Sequence, residues 1–160
     1  NTAHAFVAAI QSELDIPIMN MLTVTVKHIR ETFPTLRKVG LLATSGTISS
    51  GVYQRALEDH GLEEVVPTAA LQARVMNAIY GAEGVKAGFI SAGSVADVDA
   101  AIDELAAQAV EVIILGCTEL PLLLPEPKRV TAAGSRVTLV DPTDILAKRC
   151  VAAAMMWSRH

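Results

Sequence analysis

Two apolar runs most constrain what this chain can fold into. Residues 39–44 (VGLLAT) and residues 112–116 (VIILG) are apolar almost throughout, with no alternation of polar and apolar side chains. Strands of this kind are buried on both faces, as the strands of parallel sheets are. Parallel strands are joined by crossover connections that usually contain a helix, so the two runs predict an α/β architecture.

Segments with helical spacing of apolar residues separate these strands. The spacing predicts helices over 2–14, 22–32, 71–80 and 95–110, one more that ends at Gly61, and a C-terminal helix that begins at Asp141. Shorter strands are predicted over 16–19, 64–66 and 138–140. The alternation predicts an α/β fold with a mostly parallel sheet flanked by helices.

Composition excludes several classes of protein. The 160 residues are 51% hydrophobic and 19% charged, which fits one folded domain and not a disordered chain. A net charge of −4 and an aromatic content of 4% argue against nucleic acid as a partner. No apolar run reaches the roughly 18 residues that a membrane-spanning helix needs, so no membrane partner is predicted.

The two cysteines, Cys117 and Cys150, do not form a disulfide framework. No pair of cysteines or histidines has the spacing of metal ligands, so no metal site is predicted. A reducing, cytoplasmic compartment is therefore expected.

Small hydroxyl residues and glycine follow both apolar runs. Residues 44–47 (TSGT) and 116–119 (GCTE) stand where the two strands end, and Asn1-Thr2 has the same character just before a helix. Ligands of open α/β sheets bind beyond the carboxyl ends of the strands, and backbone N–H groups at helix starts favour anions. If these segments converge, they make a pocket for a carboxylate.

Cys117 is the sharpest candidate for chemistry. At a strand end near a helix N-terminus, a thiol pKa falls below its ordinary value, and the thiolate serves as a nucleophile or a base. A buried cysteine that acts as a small hydrophobe fits the same position equally well. Cys150 lies within the last helix and is interpreted as structural. Lys86 stands between glycines, where it is either solvated or a point charge for an anionic substrate group.

Five segments in order resemble the aspartate/glutamate racemase family. The segment that contains Cys117 is similar to the second-cysteine motif of that family, and the others resemble its central threonine-rich motif, its lysine loop, the start of its last helix, and the segment after its first catalytic cysteine. These are residues 116–122 (GCTELPL), 42–53 (LATSGTISSGVY), 85–88 (VKAG), 141–144 (DPTD) and 1–4 (NTAH).

The resemblance implies a racemase that needs no cofactor, pyridoxal phosphate included. Two cysteines would face opposite sides of the substrate Cα, and one would remove the α-proton while the other donates a proton. Because the α-proton is weakly acidic, N–H and hydroxyl donors must stabilise the charge that develops on the carboxylate. Cys117 would be the second acid/base.

The resemblance also assigns substrate contacts. Lys86 would pair with the side-chain carboxylate of the substrate, and Glu119 is kept as a residue that orients its neighbours. The α-carboxylate would be held by hydroxyl and amide groups from both halves of the protein, namely Asn1, Thr2, Thr47 and Thr118. A small amino-acid substrate and a homodimer are the partners implied.

The sequence departs from the family pattern at its start. The first cysteine would stand immediately before Asn1, so the expected two pseudo-symmetric α/β halves are present with the N-terminal half incomplete. Residues 1–36 would be the remainder of that half, residues 37–136 the second half with Cys117, and residues 137–160 a strand and helix that return to the first half. With one of the two thiols, the 160-residue chain itself is expected to show little or no racemisation.

Two other functions stay open. A decarboxylase or an isomerase of the same superfamily would need a single thiol, and the residue before Asn1 would separate these from a racemase. A non-catalytic protein that binds dicarboxylic amino acids would need the carboxylate pocket and no second base. Binding without α-proton exchange by the gene product would favour that class.

Overall fold

The computed structural model describes residues 1–157, without the side chains of Thr2, Ala5 and Ala8. These residues form a five-stranded sheet in the order β2-β1-β3-β5-β4. The strands are β1 (Lys38–Leu42), β2 (Glu63–Val65), β3 (Val112–Leu115), β4 (Lys128–Val130) and β5 (Arg136–Val140). The helices are α1 (Val7–Gln11), α2 (Met21–Thr32), α3 (Ser45–Ser49), α4 (Val52–Glu58), α5 (Ala69–Tyr80), α6 (Ala92–Ala107), α7 (Leu120–Leu123) and α8 (Pro142–Trp157), with 3₁₀ turns at Thr2–Phe6 and Val85–Ala87.

The sheet is parallel except at one edge, which confirms the predicted α/β class. β1 pairs in parallel with β2 and with β3, β3 pairs in parallel with β5, and β4 alone among the described strands runs antiparallel to its neighbour. The strands that follow β1 in the chain lie on opposite sides of it, so the winding of the sheet reverses between β1 and β3. Ligands of open α/β sheets bind at such a reversal, beyond the carboxyl ends of the strands.

Both faces of the sheet are covered, because its central strands are apolar on both sides. In β3, Val112 and Ile114 pack toward α2, α4 and α8, while Ile113 and Leu115 pack toward α5 and α6. All four side chains are at most 2% exposed. Burial on both faces is the reason why the run 112–116 shows no alternation of polarity.

Two predicted elements differ in the structure, and one observed strand was not predicted. Residues 16–19 form no strand: Pro17 has no N–H to donate, and the N–H of Ile18 donates to Gln11 Oε1 at 2.7 Å instead. The helix predicted over 2–14 is a 3₁₀ turn followed by the single short helix α1. The sequence reading missed β4, which forms an antiparallel hairpin with β5.

The last strand and helix belong to the same layers as the rest of the described chain. β5 pairs with β3 inside the sheet, and α8 packs against α2. The division into units at 36/37 and 136/137 stays a prediction. Among the helices of residues 1–157, none combines the length and apolar character needed to cross a membrane.

Candidate active site

The end of β3 approaches the end of β1 closely, and a glycine permits this approach. The N–H of Gly116 donates to the carbonyl of Leu42 at 2.7 Å. A Cβ at Gly116 would lie 2.8 Å from Leu41 Cδ1 and 3.0 Å from Ala43 Cβ, both closer than ordinary packing allows. The residue after Gly116 is therefore held beside the carboxyl end of β1, at the place where the winding reverses.

That residue is Cys117, whose thiol faces a carboxylate. Cys117 is 7% exposed, and its Sγ donates to Glu119 Oε2 at 2.9 Å. The hydroxyl of Thr118 donates to the same oxygen at 3.1 Å. The carbonyl of Cys117 accepts from the N–H of Leu120, which ties this loop to the start of α7. One short segment after β3 thus sets a thiol, a hydroxyl and a carboxylate together.

Lys86 approaches the same carboxylate from the 3₁₀ turn Val85–Ala87. Its Nζ lies 3.3 Å from Glu119 Oε1 and 4.7 Å from the centre of the Tyr80 ring. Gly84 precedes the turn and packs tightly on the end of α5, since a Cβ there would lie 2.9 Å from the carbonyl oxygen of Asn77. This contact fixes the turn and directs Lys86 toward the segment after β3.

The environment of Cys117 favours the protonated thiol. Burial raises the pKa of Cys117 to about 11, the hydrogen bond to Glu119 acts in the same direction, and Lys86 opposes the rise. The sequence predicted a lowered pKa from a helix N-terminus, and that prediction is wrong in direction. A carboxylate that accepts a hydrogen bond from a buried thiol stabilises the neutral form, and the charged form is poorly solvated there.

Glu119, which accepts from the thiol, and Lys86, which pairs with Glu119, are both charged. Burial acts to raise the pKa of Glu119, but hydrogen bonds from Cys117, from its own backbone, from Thr118 and from Lys86 outweigh it and lower that pKa. The pKa of Lys86 is raised by its hydrogen bonds to Tyr80 and then to Glu119. At neutral pH the site therefore holds a neutral thiol beside a carboxylate–ammonium pair.

Thr47 lies in α3, which follows the carboxyl end of β1, the strand next to β3. The side chain of Thr44 accepts from the N–H of Thr47 at 3.2 Å and starts α3, and Thr47 is buried. Leu42 of β1 pairs with Leu115 of β3, so Thr44 and Cys117 each lie two residues beyond a paired position. The predicted convergence of the two strand ends is present in the topology.

Asn1 joins this edge through α4. The hydroxyl of Tyr53 donates to Asn1 Oδ1, and Tyr53 is fully buried. Burial raises the pKa of Tyr53, and the nearby charge of Asp141 adds to the rise. The predicted contact of Thr2 with substrate falls on a side chain outside the described residues.

Two residues near the site carried no signal in the sequence. Gln72 in α5 donates from Nε2 to the carbonyl of Ala43 at 2.9 Å and to Ser45 Oγ at 3.2 Å. Its Oε1 is buried without a hydrogen-bond partner among the described residues, so an amide acceptor is left beside the β1 end. Tyr80 ends the same helix and supports Lys86. Both look like ordinary members of an amphipathic helix in the sequence.

The site gathers four of the predicted residues into one bonded group, namely Lys86, Cys117, Thr118 and Glu119. Thr47 and Asn1 occupy the other side of the strand ends. Within the part of the chain that the structure describes, no group of three or more His, Cys, Asp or Glu side chains is placed to hold a metal ion. The arrangement offers proton transfer by a thiol next to a cation that attracts anions.

Fold and site together define a class: an α/β protein with a buried thiol, bonded to a carboxylate, at the carboxyl edge of a mostly parallel sheet. Comparison with known proteins makes the assignment specific. The sequence profile of the Asp/Glu/Hydantoin racemase family matches residues 1–150. The chain therefore belongs to the Asp/Glu/Hydantoin racemase family, and the resemblance seen in the sequence is confirmed.

Individual relatives agree with this assignment. A glutamate racemase of Corynebacterium diphtheriae is 30% identical over 152 residues, which are 92% of this chain and 52% of the relative. A protein of Pectobacterium carotovorum in the pnlA 3′ region, itself uncharacterised, is 37% identical over 136 residues, 85% of this chain and 82% of that protein. A crystal structure of a candidate Asp/Glu racemase from Yersinia pestis superposes with a TM-score of 0.81 at 32% identity, over 97% of this chain and 64% of that chain.

The chain spans about half the length of the glutamate racemases it matches. It spans 64% of the Yersinia pestis structure. The activity of the whole protein is accordingly a proposal, argued next.

Proposed function

We propose that the gene product racemises aspartate or glutamate without a cofactor, by proton transfer at Cα between two thiols. The observation that carries this proposal is the Cys117 thiol, 2.9 Å from the Glu119 carboxylate at the carboxyl end of β3, in a chain of the Asp/Glu/Hydantoin racemase family. Cys117 is the acid/base on one face of the substrate.

The chemistry requires both ionisation states of that thiol. In one direction the Cys117 thiol gives its proton to the carbanion at Cα and becomes a thiolate. In the other direction the thiolate removes the α-proton, and its high proton affinity makes it a strong base for a weakly acidic carbon. The opposite face needs a second thiol, which the resemblance places immediately before Asn1. The other cysteine of this chain, Cys150, lies on α8 with its Sγ 3.7 Å from Met19 Sδ, and we do not assign it the role of the second thiol.

The charges of the site favour a dicarboxylic substrate. Lys86 is the cation of the bonded group, and its side chain is 40% exposed, so a substrate carboxylate has access to Nζ. Lysine binds carboxylates as a point charge and tolerates more than one approach. We assign Lys86 to the side-chain carboxylate of the substrate.

The α-carboxylate has hydroxyl and amide donors within the proposed site. We assign its contacts to Thr118 beside the thiol and to Thr47, Asn1 and Thr2 on the other side of the strand ends. Donors of this kind stabilise the negative charge that moves onto the α-carboxylate when Cα loses its proton. Removal of one such donor costs roughly 10²- to 10³-fold in kcat where it has been measured in other enzymes.

The test is racemisation by the gene product, expressed from its whole reading frame. L-aspartate, D-aspartate, L-glutamate and D-glutamate are incubated with it, and the enantiomers are separated by chiral chromatography. We expect interconversion of at least one pair and loss of activity in Cys117→Ser. Release of carbon dioxide from a malonate, or binding of both amino acids without interconversion, would instead support the decarboxylase or the binding protein. The homodimer and the cytoplasmic location stay predictions.

A further inference from the structure

Glu119 divides its two carboxylate oxygens between different partners. Oε1 lies 3.3 Å from Lys86 Nζ, while Oε2 accepts from Cys117 at 2.9 Å and from Thr118 at 3.1 Å. A bidentate arrangement of this kind fixes the rotation of the carboxylate. The ammonium of Lys86 and the thiol of Cys117 are therefore connected through one side chain.

Lys86 is the exposed end of this connection, and Glu119 is its sheltered middle. The side chain of Lys86 is 40% exposed and that of Glu119 is 21% exposed. The Tyr80 ring lies beneath the ammonium, with its centre 4.7 Å from Nζ. An anion that arrives from solvent thus meets Lys86 before it meets the carboxylate.

We propose that Lys86 is a positioning residue for the acid/base thiol, because it orients and partly neutralises the Glu119 carboxylate that accepts the hydrogen bond from Cys117. Lys86 then has two partners, Glu119 when the site is empty and the substrate carboxylate when it is filled. This inference rests on the proposed function for the identity of the substrate, while the connection itself is a property of the resting chain.

The charges of Lys86 and Glu119 determine whether the proton affinity of the Cys117 thiol rises or falls. While Lys86 holds Glu119, its positive charge offsets the carboxylate and makes the thiolate less unfavourable. When Lys86 turns to another anion, the full charge of Glu119 faces Cys117 and the thiol holds its proton more tightly. Occupation of Lys86 by a dicarboxylic substrate would thus keep Cys117 in its proton-donating form. Among the described residues, Glu119 and Lys86 are the charged groups that act on this thiol, and Tyr80 touches Lys86.

A double-mutant cycle on the 160-residue chain tests the connection. The background is Cys150→Ser, so that Cys117 is the one reactive thiol. The rate of alkylation by iodoacetamide at mildly alkaline pH reports the thiolate fraction, since the thiolate is the nucleophile. The variants are Lys86→Met, Glu119→Gln and the pair together, with Lys86→Arg as the conservative control.

We expect Glu119→Gln to speed alkylation several-fold, because the thiolate fraction rises more than the nucleophilicity of the thiolate falls. Lys86→Met should slow alkylation several-fold when Glu119 is present, and by a clearly smaller factor in the Glu119→Gln background, where only the direct charge of Lys86 on the thiol is lost. Lys86→Arg should stay near the parent rate. A change of access to the thiol would act in both backgrounds, so the cycle removes it. Thermal melting of each variant shows that it is folded.

The same factor for Lys86→Met in both backgrounds would overturn the proposal, because Lys86 would then act on the thiol by its own charge alone and not through Glu119. An unchanged rate in Glu119→Gln would overturn it as well. No substrate enters this experiment, so its outcome is independent of whether the gene product racemises an amino acid.

Discussion

Replacement of Gly116 by alanine tests how the fold positions the segment after β3, which contains Cys117. The new Cβ would lie 2.8 Å from Leu41 Cδ1, 3.0 Å from Ala43 Cβ and 3.4 Å from the carbonyl oxygen of Leu42. Leu41 and Ala43 are fully buried, so neither has open space to move into. The strain must be relieved by separating the end of β3 from the end of β1.

The expected cost follows from these distances. Forcing a methyl group into a well-packed core typically costs 1–3 kcal/mol, and two contacts at or below 3.0 Å place Gly116→Ala at about 2 kcal/mol. For a domain of this size, a change of about 2 kcal/mol lowers Tm by roughly 4–8 °C. The hydrogen bond from Gly116 to Leu42 would lengthen, and Cys117 would move with it.

Gly93→Ala is the matched control, because it adds the same methyl group at an open helical position. The nearest atom to a Cβ at Gly93 is Ser91 Oγ at 3.8 Å, and Gly93 lies in α6. Alanine is favoured over glycine in a helix by roughly 1 kcal/mol, so this variant should be as stable as the parent or more so. Urea unfolding followed by circular dichroism measures both. Equal stability of Gly116→Ala and the parent would refute the argument that β3 and β1 meet too closely for a side chain.

Three further predictions address other parts of the molecule. Burial, with a smaller contribution from Glu58, raises the pKa of Glu64 from 4.5 to about 7. The folded state therefore binds this proton more tightly than the unfolded state does. As a result, the free energy of unfolding falls as the pH rises from 4.5 to about 7. Because Glu64 is only partly buried, we expect Glu64→Gln to be more stable to unfolding than the parent by about 1 kcal/mol at pH 8, and by little at pH 4. Urea titrations measure this difference, and Glu63→Gln, at an exposed position, is the control. Iodoacetamide at neutral pH should modify the exposed Cys150 well before the buried Cys117, and peptide mass mapping would show the order. If Cys117 were modified first, the burial and the raised pKa described for its thiol would be wrong. Ile113→Ala empties a fully buried position and should cost about 2–5 kcal/mol in the same unfolding assay, whereas a cost below about 1 kcal/mol would show that the central strand is not packed as described.

The central architecture could be predicted from the sequence because its signals are local. An unbroken apolar run such as 112–116 has few alternatives to a strand buried on both faces, and the structure confirms it in β3. The small residues that follow the two apolar runs could be predicted as parts of a binding site because they stand where those strands end. The family motifs in the segments around Cys117 and Thr47 then supplied roles that periodicity does not contain.

Features that depend on the rotation and burial of side chains, or on contacts outside the strand and helix patterns, could not be predicted. The direction of the pKa change at Cys117 depends on the rotation of Glu119 and on the depth of burial, and neither is encoded in the motif. The pairing of Lys86 with Glu119 joins positions 33 residues apart along the chain. The predicted strand over 16–19 is wrong because its N–H group at Ile18 bonds to the side chain of Gln11 instead of a neighbouring strand.

The most direct test of the account is hydrogen exchange at Cα in deuterated water, followed by proton NMR of aspartate and glutamate. The gene product expressed from its whole reading frame is compared with Cys117→Ala and with Cys150→Ala. Both enantiomers of each amino acid are tested separately. We expect the α-proton signal of both to disappear with the parent and with Cys150→Ala, and that of one enantiomer to persist with Cys117→Ala, because the proposal makes Cys117 the base on one face of Cα. Exchange of both enantiomers that survives in Cys117→Ala would contradict the assignment of Cys117 as an acid/base of this site.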